Sequence, residues 1–219
     1  MSRSQAHSSA DAKRSTYHHG DLRRALLDAG ETELTERGVE KFSLRGVAKK
    51  ANVSHGAPAH HFDDVEGLLT ALAARGYWKF LSAQEKRELA AGDSPRQRLA
   101  ASGLGYIDFA VSNPALFRLM FASERTDKAH PLLAEAADAA FDRLVRHVQT
   151  IKGLDPHNNP LAMKDVLAAW AVAHGLADLM IAERLGRATF LASMTPEERD
   201  QFFSDIILRT IPDTEEHTP

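Results

Sequence analysis

Apolar residues recur every three or four positions along nearly all of this 219-residue chain, and no segment alternates convincingly. A period near 3.6 gathers them on one face of an α-helix, whereas a half-buried strand needs a period of two. The expected fold is all-α: an N-terminal three-helix unit followed by a bundle of about six helices. Capping residues set the boundaries. Asp21 is expected to cap the first helix, with Leu22, Leu26, Ala29 and Gly30 on one face and Gly38 stopping it. Ser43 caps a second, which turns Leu44, Val47, Ala48 and Ala51 inward. After a break at Asn52-Val53, Ser54 caps a third that ends at Phe62. Asp63 or Asp64 then opens a long fourth helix that buries Leu68, Leu69, Leu72, Gly76 and Phe80.

Proline punctuates the remainder. Ser94-Pro95 starts a helix carrying Leu99, Tyr106 and Ala110, and Asn113-Pro114 ends it. A short helix holds Leu116, Phe117, Met120 and Phe121. His130-Pro131 opens another to about Thr150, and a loop from Gly153 to Pro160 leads into a helix reaching about Gly186. Thr195-Pro196-Glu197-Glu198 caps the last helix, which carries Phe202, Phe203, Ile206 and Ile207.

The chain has no cysteine, which removes disulfides and thiolate metal sites. No apolar run approaches the roughly 18 residues that span a bilayer. The first residues, MSRSQAHSSADAKRST, are polar and hold no signal-peptide core, so the cytoplasm is the expected compartment. They read as a flexible, weakly basic arm over residues 1–16. The expected domains are 17–62 (reaching about 81 along the fourth helix), 63–212, and a tail at 213–219. Residues 1–61 hold 10 Lys and Arg against 7 Asp and Glu, and residues 62–219 hold 17 against 23. A basic end on an acidic body is compatible with one end facing phosphate.

Between two helical segments lies ANVSHGAPAHHF, residues 51–62. Two short helices joined by a tight turn, with the second exposed, describe a helix-turn-helix. Its second helix enters the major groove by its N-terminal end, so small residues such as Gly56 and Ala57 are needed there. Pro58 is tolerated because a first helical turn has no internal partner for its N–H. His55, His60 and His61 offer polar tips to phosphates or base edges, while Val53 and Phe62 anchor the unit. The N–H groups behind Ser43 and Ser54 form two anion sites, with Arg45 beside the first. A plain interhelical loop with incidental histidines is the other reading of the stretch taken by itself.

With their context, residues 17–81 resemble the DNA-binding domain of the TetR family of transcriptional regulators. The resemblance is carried by YHHGDLRRALLDAG, GVEKFSLRGVAKKANVSHGAPAHHF and DDVEGLLTAL. The body is similar to one C-terminal type of that family, marked here by Trp170, His174 and Gly175 in AAWAVAHGLADLM. Four positions depart from the family pattern. Ala59 stands where a phosphate-contacting tyrosine is usual, Val65 where a lysine is usual, and Glu31 and Glu33 where apolar residues are usual. The resemblance implies double-stranded DNA with a palindromic operator as partner, an unidentified small-molecule effector, and no cofactor. It also implies a homodimer through the last two long helices, about residues 161–186 and 196–211. It further implies a repressor that the effector releases from DNA.

Lys13, Arg14, His18 and His19 add basic or titratable groups to the DNA side. Neither His18-His19 nor His60-His61 suits a metal, because adjacent helical side chains diverge by about 100°. Histidine changes charge around neutrality, so DNA affinity is expected to rise from pH 8 to pH 6 at constant salt. A flat profile would remove the histidines from phosphate contact. Trp170, His174 and Asp178 share a helix face. They read either as a satisfied core histidine with its neighbours, or as an effector pocket together with Tyr106, Phe117, Met120 and Phe121. No nucleophile–base–acid constellation, phosphate-binding glycine loop or zinc-binding histidine pair is present, which is not the pattern of an enzyme. A helical small-molecule- or metal-binding protein that has lost DNA binding is the alternative, and Ala59 and Val65 favour it.

Overall fold

Among the described residues every regular element is helical. The structure, a computed structural model, describes the backbone of residues 7–212 and the side chains of residues 21–212 except Arg187. Helices α1 (His7–Arg37), α2 (Leu44–Ala51) and α3 (Ala57–Phe62) make a head. Helix α4 (Val65–Ala90) runs from the head into a body of α5 (Pro95–Ser112), α6 (Pro114–Ala122), α7 (Pro131–Lys152), α8 (Pro160–Ile181) and α9 (Pro196–Leu208). Two 3₁₀ turns, Arg184–Arg187 and Thr189–Ser193, join α8 to α9.

Most boundaries follow from local capping. Ser43 Oγ accepts from Gly46 N at 3.1 Å, and Asp64 Oδ1 accepts from Gly67 N at 2.8 Å. Thr195 and Glu198 form a reciprocal capping box, at 3.2 and 2.8 Å. Such a cap contributes about 1 kcal/mol by pairing an N–H that the helix leaves free.

Three boundaries differ from expectation. Helix α1 starts at His7, so Asp21 lies inside it and accepts from Arg24 at 3.1 Å instead of capping. No proline interrupts residues 7–21, and a single Gly20 costs only about 1 kcal/mol in a helix. Of the proposed arm, residues 1–6 lie outside the described residues and 7–16 belong to α1. Helix α3 starts at Ala57 and not behind Ser54. The Ser54 carbonyl accepts from Ala57 N at 3.1 Å in a turn that leads into the helix. Helix α8 stops at Ile181, because Glu183 adopts a left-handed φ of 52°. The tail at 213–219 lies outside the described residues.

Packing is continuous from head to body. Leu26, Leu34, Val47, Phe62, Leu68 and Leu72 fill the head, and Phe80, Phe109 and Phe117 extend the same cluster along α4. Each fully buried side chain of this kind contributes about 1.5–3 kcal/mol. Polar ties reinforce the junction. Arg75 pairs with Asp28 and Glu31, Lys79 pairs with Glu31, and Arg125 Nη1 donates to the Val39 carbonyl at 2.7 Å. Arg125 Nη2 also donates to Glu66 at 3.0 Å, so the α6–α7 loop is fastened both to the α1–α2 turn and to α4.

Candidate nucleic-acid interface and body cavity

The α2–turn–α3 unit is held from beneath. Phe62 is buried with the Arg23 guanidinium 4.9 Å from its ring, Val53 packs on the head core, and Asn52 ends α2 at φ 54°. What remains outward is Arg45, Ser54, His55, Gly56 and His60, all exposed, with Ala57 and His61 partly so. Gly56 is the informative residue. Its φ of −81° suits any amino acid, and a Cβ added there would meet nothing within 4 Å. Neither backbone conformation nor internal packing calls for glycine at this point, so the space lies open to something outside the chain. Lys13, Arg14, His18 and His19 lie outside the described side chains.

Around the two serines the geometry differs from expectation. Ser54 is not the N-cap of α3: Gly56 holds that position, with no side-chain cap. Ser43 does cap α2, but the Glu33 carboxylate, buried and 3.5 Å from its hydroxyl, sits at the same helix end. A Cβ on Gly46 would collide with that carboxylate. The N-terminus of α2 therefore already faces an anion of its own chain, which opposes a second one.

Inside the body, α4, α5, α7 and α8, with Phe121 of α6 and Ile207 of α9, enclose a cavity of about 270 Å³. Of the residues expected there, Tyr106, Phe121 and Trp170 line it. Phe117 and Met120 are buried in the core, and Met120 lies against Gly76. His174 lies behind the wall, with its Nδ1 2.7 Å from the Tyr106 hydroxyl and its Nε2 3.6 Å from the exposed Asp178. A carboxylate beside Nε2 favours a proton on that nitrogen, so Nδ1 accepts and the Tyr106 O–H donates. Burial pushes the Tyr106 phenol well above its ordinary pKa, while the Trp170 N–H opposes the shift. Tyr106 accordingly stays protonated, a donor occupied within the protein.

Residues the sequence reading missed complete the wall: Tyr77 and Gln84 from α4, Ser102 from α5, and Asp138 and Phe141 from α7. Gln84 had a visible signal, as a polar residue on the apolar stripe Ala73, Gly76, Phe80. It is buried, its amide NH₂ faces the Ser102 carbonyl at 3.4 Å, and its Oε1 has no partner. An unpaired buried acceptor costs about 1–3 kcal/mol. Beyond Ser102 lies Glu88. Burial raises its pKa, but His147 and Arg143, which bond it at 3.0, 2.9 and 2.8 Å, hold the carboxyl down at about 2.

Both halves of the chain match known families. The model described as "Tetracyclin repressor-like, C-terminal domain" covers residues 99–208, half of the chain. That described as "Bacterial regulatory proteins, tetR family" covers residues 26–72, the helix-turn-helix. The chain belongs to the TetR family. This is a family of DNA-binding transcription regulators and not of enzymes.

Among its relatives, the HTH-type transcriptional regulator BetI of Burkholderia mallei (strain NCTC 10229) is 36% identical over 98 residues. The Burkholderia cenocepacia (strain HI2424) protein of the same name is 37% identical over 98 residues. The match covers 44% of this chain and 50% of either BetI protein, so the chain spans about half the length of the curated relatives it matches. A protein of unknown function from Rhodococcus sp. RHA1 is 34% identical, with a TM-score of 0.68 over 88% of this chain and 96% of its own. A TetR family transcription regulator from Marinobacter aquaeolei VT8 shares the fold, with a TM-score of 0.64 at 18% identity over 91% of this chain and all of its own.

The departures of this TetR-family chain at the α1 acids have local explanations. Glu31 is paired to Arg75 and Lys79 across the α1–α4 contact. Glu33 lies 3.4 Å from Lys50 and fills the space that Gly46 leaves. Val65 opens α4 packed on the head core, and Ala59 is partly buried in α3.

Proposed function

We propose that this protein is a homodimeric, ligand-responsive repressor that binds a palindromic DNA operator through α2 and α3. The single observation that carries the reading is Gly56, exposed on the leading edge of α3 and not required by the chain's own packing. In this reading residues 17–62, reaching about 81 along α4, are the DNA-binding unit and 63–212 the effector and dimer unit. Arg45 meets phosphate, and His55, Gly56, Ala57 and His60 approach the bases. Ser43, Ser54 and His61, with Lys13, Arg14, His18 and His19, flank them.

The dimer reading rests on α8. Its outer face exposes Leu161, Leu167 and Leu179, and a Cβ on Gly175 would meet nothing within 4 Å. An apolar face with an open glycine suits a second helix in close approach, and isologous pairing would present two recognition helices to successive grooves. Trp170, His174 and Gly175 also support assignment to the C-terminal type that these three residues mark. A small molecule in the body cavity, meeting Tyr106, Phe121 and Trp170, would favour a head spacing that no longer fits both half-sites. Phe117, Met120, His174 and Asp178 would back that site.

Selection of bound sequences from a random DNA pool is expected to enrich one palindrome. Affinity for it should fall steeply as salt rises. Replacing Arg45 should weaken all sequences alike, and replacing His55 or His60 should change base preference. Enrichment of no sequence at any salt concentration would sink the reading.

A further inference from the structure

We infer that the body cavity takes an organic cation: an amine with an N–H donor on an aromatic or branched apolar body. The inference rests on the reading of the cavity as the effector site. Six rings stand in its wall, those of Tyr77, Phe80, Tyr106, Phe121, Phe141 and Trp170. Ring faces carry negative potential and attract a desolvated cation, a tryptophan face most strongly. The wall holds one formally charged side chain, Asp138, exposed at the rim and without an ion pair among the described residues. Glu135 and Asp142, three and four residues away on α7 and also exposed, make the rim more negative. Arg143, the nearest cation along α7, is turned away to Glu88.

A second observation, on α4, points the same way. Gln84 is 7% exposed and its Oε1 has no partner. The orientation of its amide is fixed by chemistry, since the NH₂ must face the Ser102 carbonyl, and the oxygen is left as the acceptor. Of the three buried polar atoms without a partner among the described residues, this one belongs to the cavity wall. The Tyr106 hydroxyl does not compete, because it is engaged with His174. An acceptor that lacks a donor, a carboxylate that lacks a counter-ion and a wall of rings share one complement. Carboxylates, phosphates and other anions find no positive group in this wall.

The test is calorimetric titration of the full chain at neutral pH with three probes sharing one body: 4-phenylbutylamine, 4-phenylbutan-1-ol and 4-phenylbutanoate. The amine is expected to bind about tenfold more tightly than the alcohol, and the carboxylate not to bind. Asp138→Asn should narrow the gap between amine and alcohol by about three- to tenfold. Gln84→Leu, which keeps the side-chain bulk, should weaken amine binding, and its melting temperature shows whether the fold is intact. Equal binding of amine and alcohol, preference for the carboxylate, no binding of the amine, or an unchanged gap in Asp138→Asn overturns the inference. Adding the selected palindrome separates the two readings. An amine that binds without releasing DNA upholds the charge preference and overturns effector release. Release by all three probes alike does the reverse.

Discussion

Replacing Gly56 by leucine is expected to lower operator affinity by about a hundredfold while leaving the melting temperature unchanged or slightly raised. The two outcomes have different origins. At a φ of −81° and ψ of −17°, with nothing within 4 Å of the added Cβ, the substitution strains no backbone and its Cβ displaces no neighbour. Removing glycine also restricts the unfolded chain, which stabilises the fold by up to about 1 kcal/mol. In the proposed complex, the same side chain would stand between the tip of α3 and the groove floor. Lost base contacts cost about 1–3 kcal/mol each, and in the proposed dimer both half-sites would carry the change. Fluorescence anisotropy on the selected palindrome at fixed salt, beside a thermal melt, reads both. Unchanged affinity would mean that the tip of α3 does not approach the bases.

Gly105→Ala is expected to lower stability by about 3 kcal/mol, or about 6–12 °C in Tm. Here α4 and α5 touch backbone to backbone. An added Cβ would lie 2.5 Å from Gln84 Cα and 2.7 Å from the Ala83 carbonyl oxygen, and neither atom can rotate aside. Gly103, two residues earlier on α5, supplies the control. Its added Cβ would meet Ile207 Cδ1 at 2.6 Å, a side-chain end that can change rotamer. Gly103→Ala should therefore cost clearly less in parallel denaturant titrations. If the two variants lose equal stability, the α4–α5 contact is not the rigid seam that this geometry describes.

The elements that could be read from the sequence are those fixed by neighbours in the chain. Asp64, Ser43 and the Thr195–Glu198 pair act within one helical turn, and each stands at the expected boundary. Where no local signal acts, expectation and structure part. Nothing near Asp21 stops a helix from beginning earlier, and the left-handed Glu183 ends α8 without a glycine or proline to announce it.

The helix-turn-helix was legible because its turn and anchors span only about twenty residues. The cavity was not, because it is lined by six helices, α4 to α9, spread over more than half of the chain. Tyr106, Phe121 and Trp170 were found as aromatics on inward faces. His174 shares its helix face with Trp170, yet Tyr106 stands between it and the empty space. Asp138 looked like one more solvated acid on α7. Only the arrangement of α4, α5 and α8 around it shows that it borders a space without a cation.

The Arg125 guanidinium gives the molecule a mechanical constraint. One edge holds the carbonyl of Val39 in the turn before α2, and another holds Glu66 in the first turn of α4. Both are charge-assisted bonds, stronger than bonds between neutral groups. The head cannot swing on α4 as on a free hinge. Any rotation that separates Val39 from Glu66 must break one of these bonds or drag the α6–α7 segment with it. In the proposed mechanism, a displacement starting at the cavity would reach α3 as a coupled movement of a loop and two helices, with little slack to absorb it.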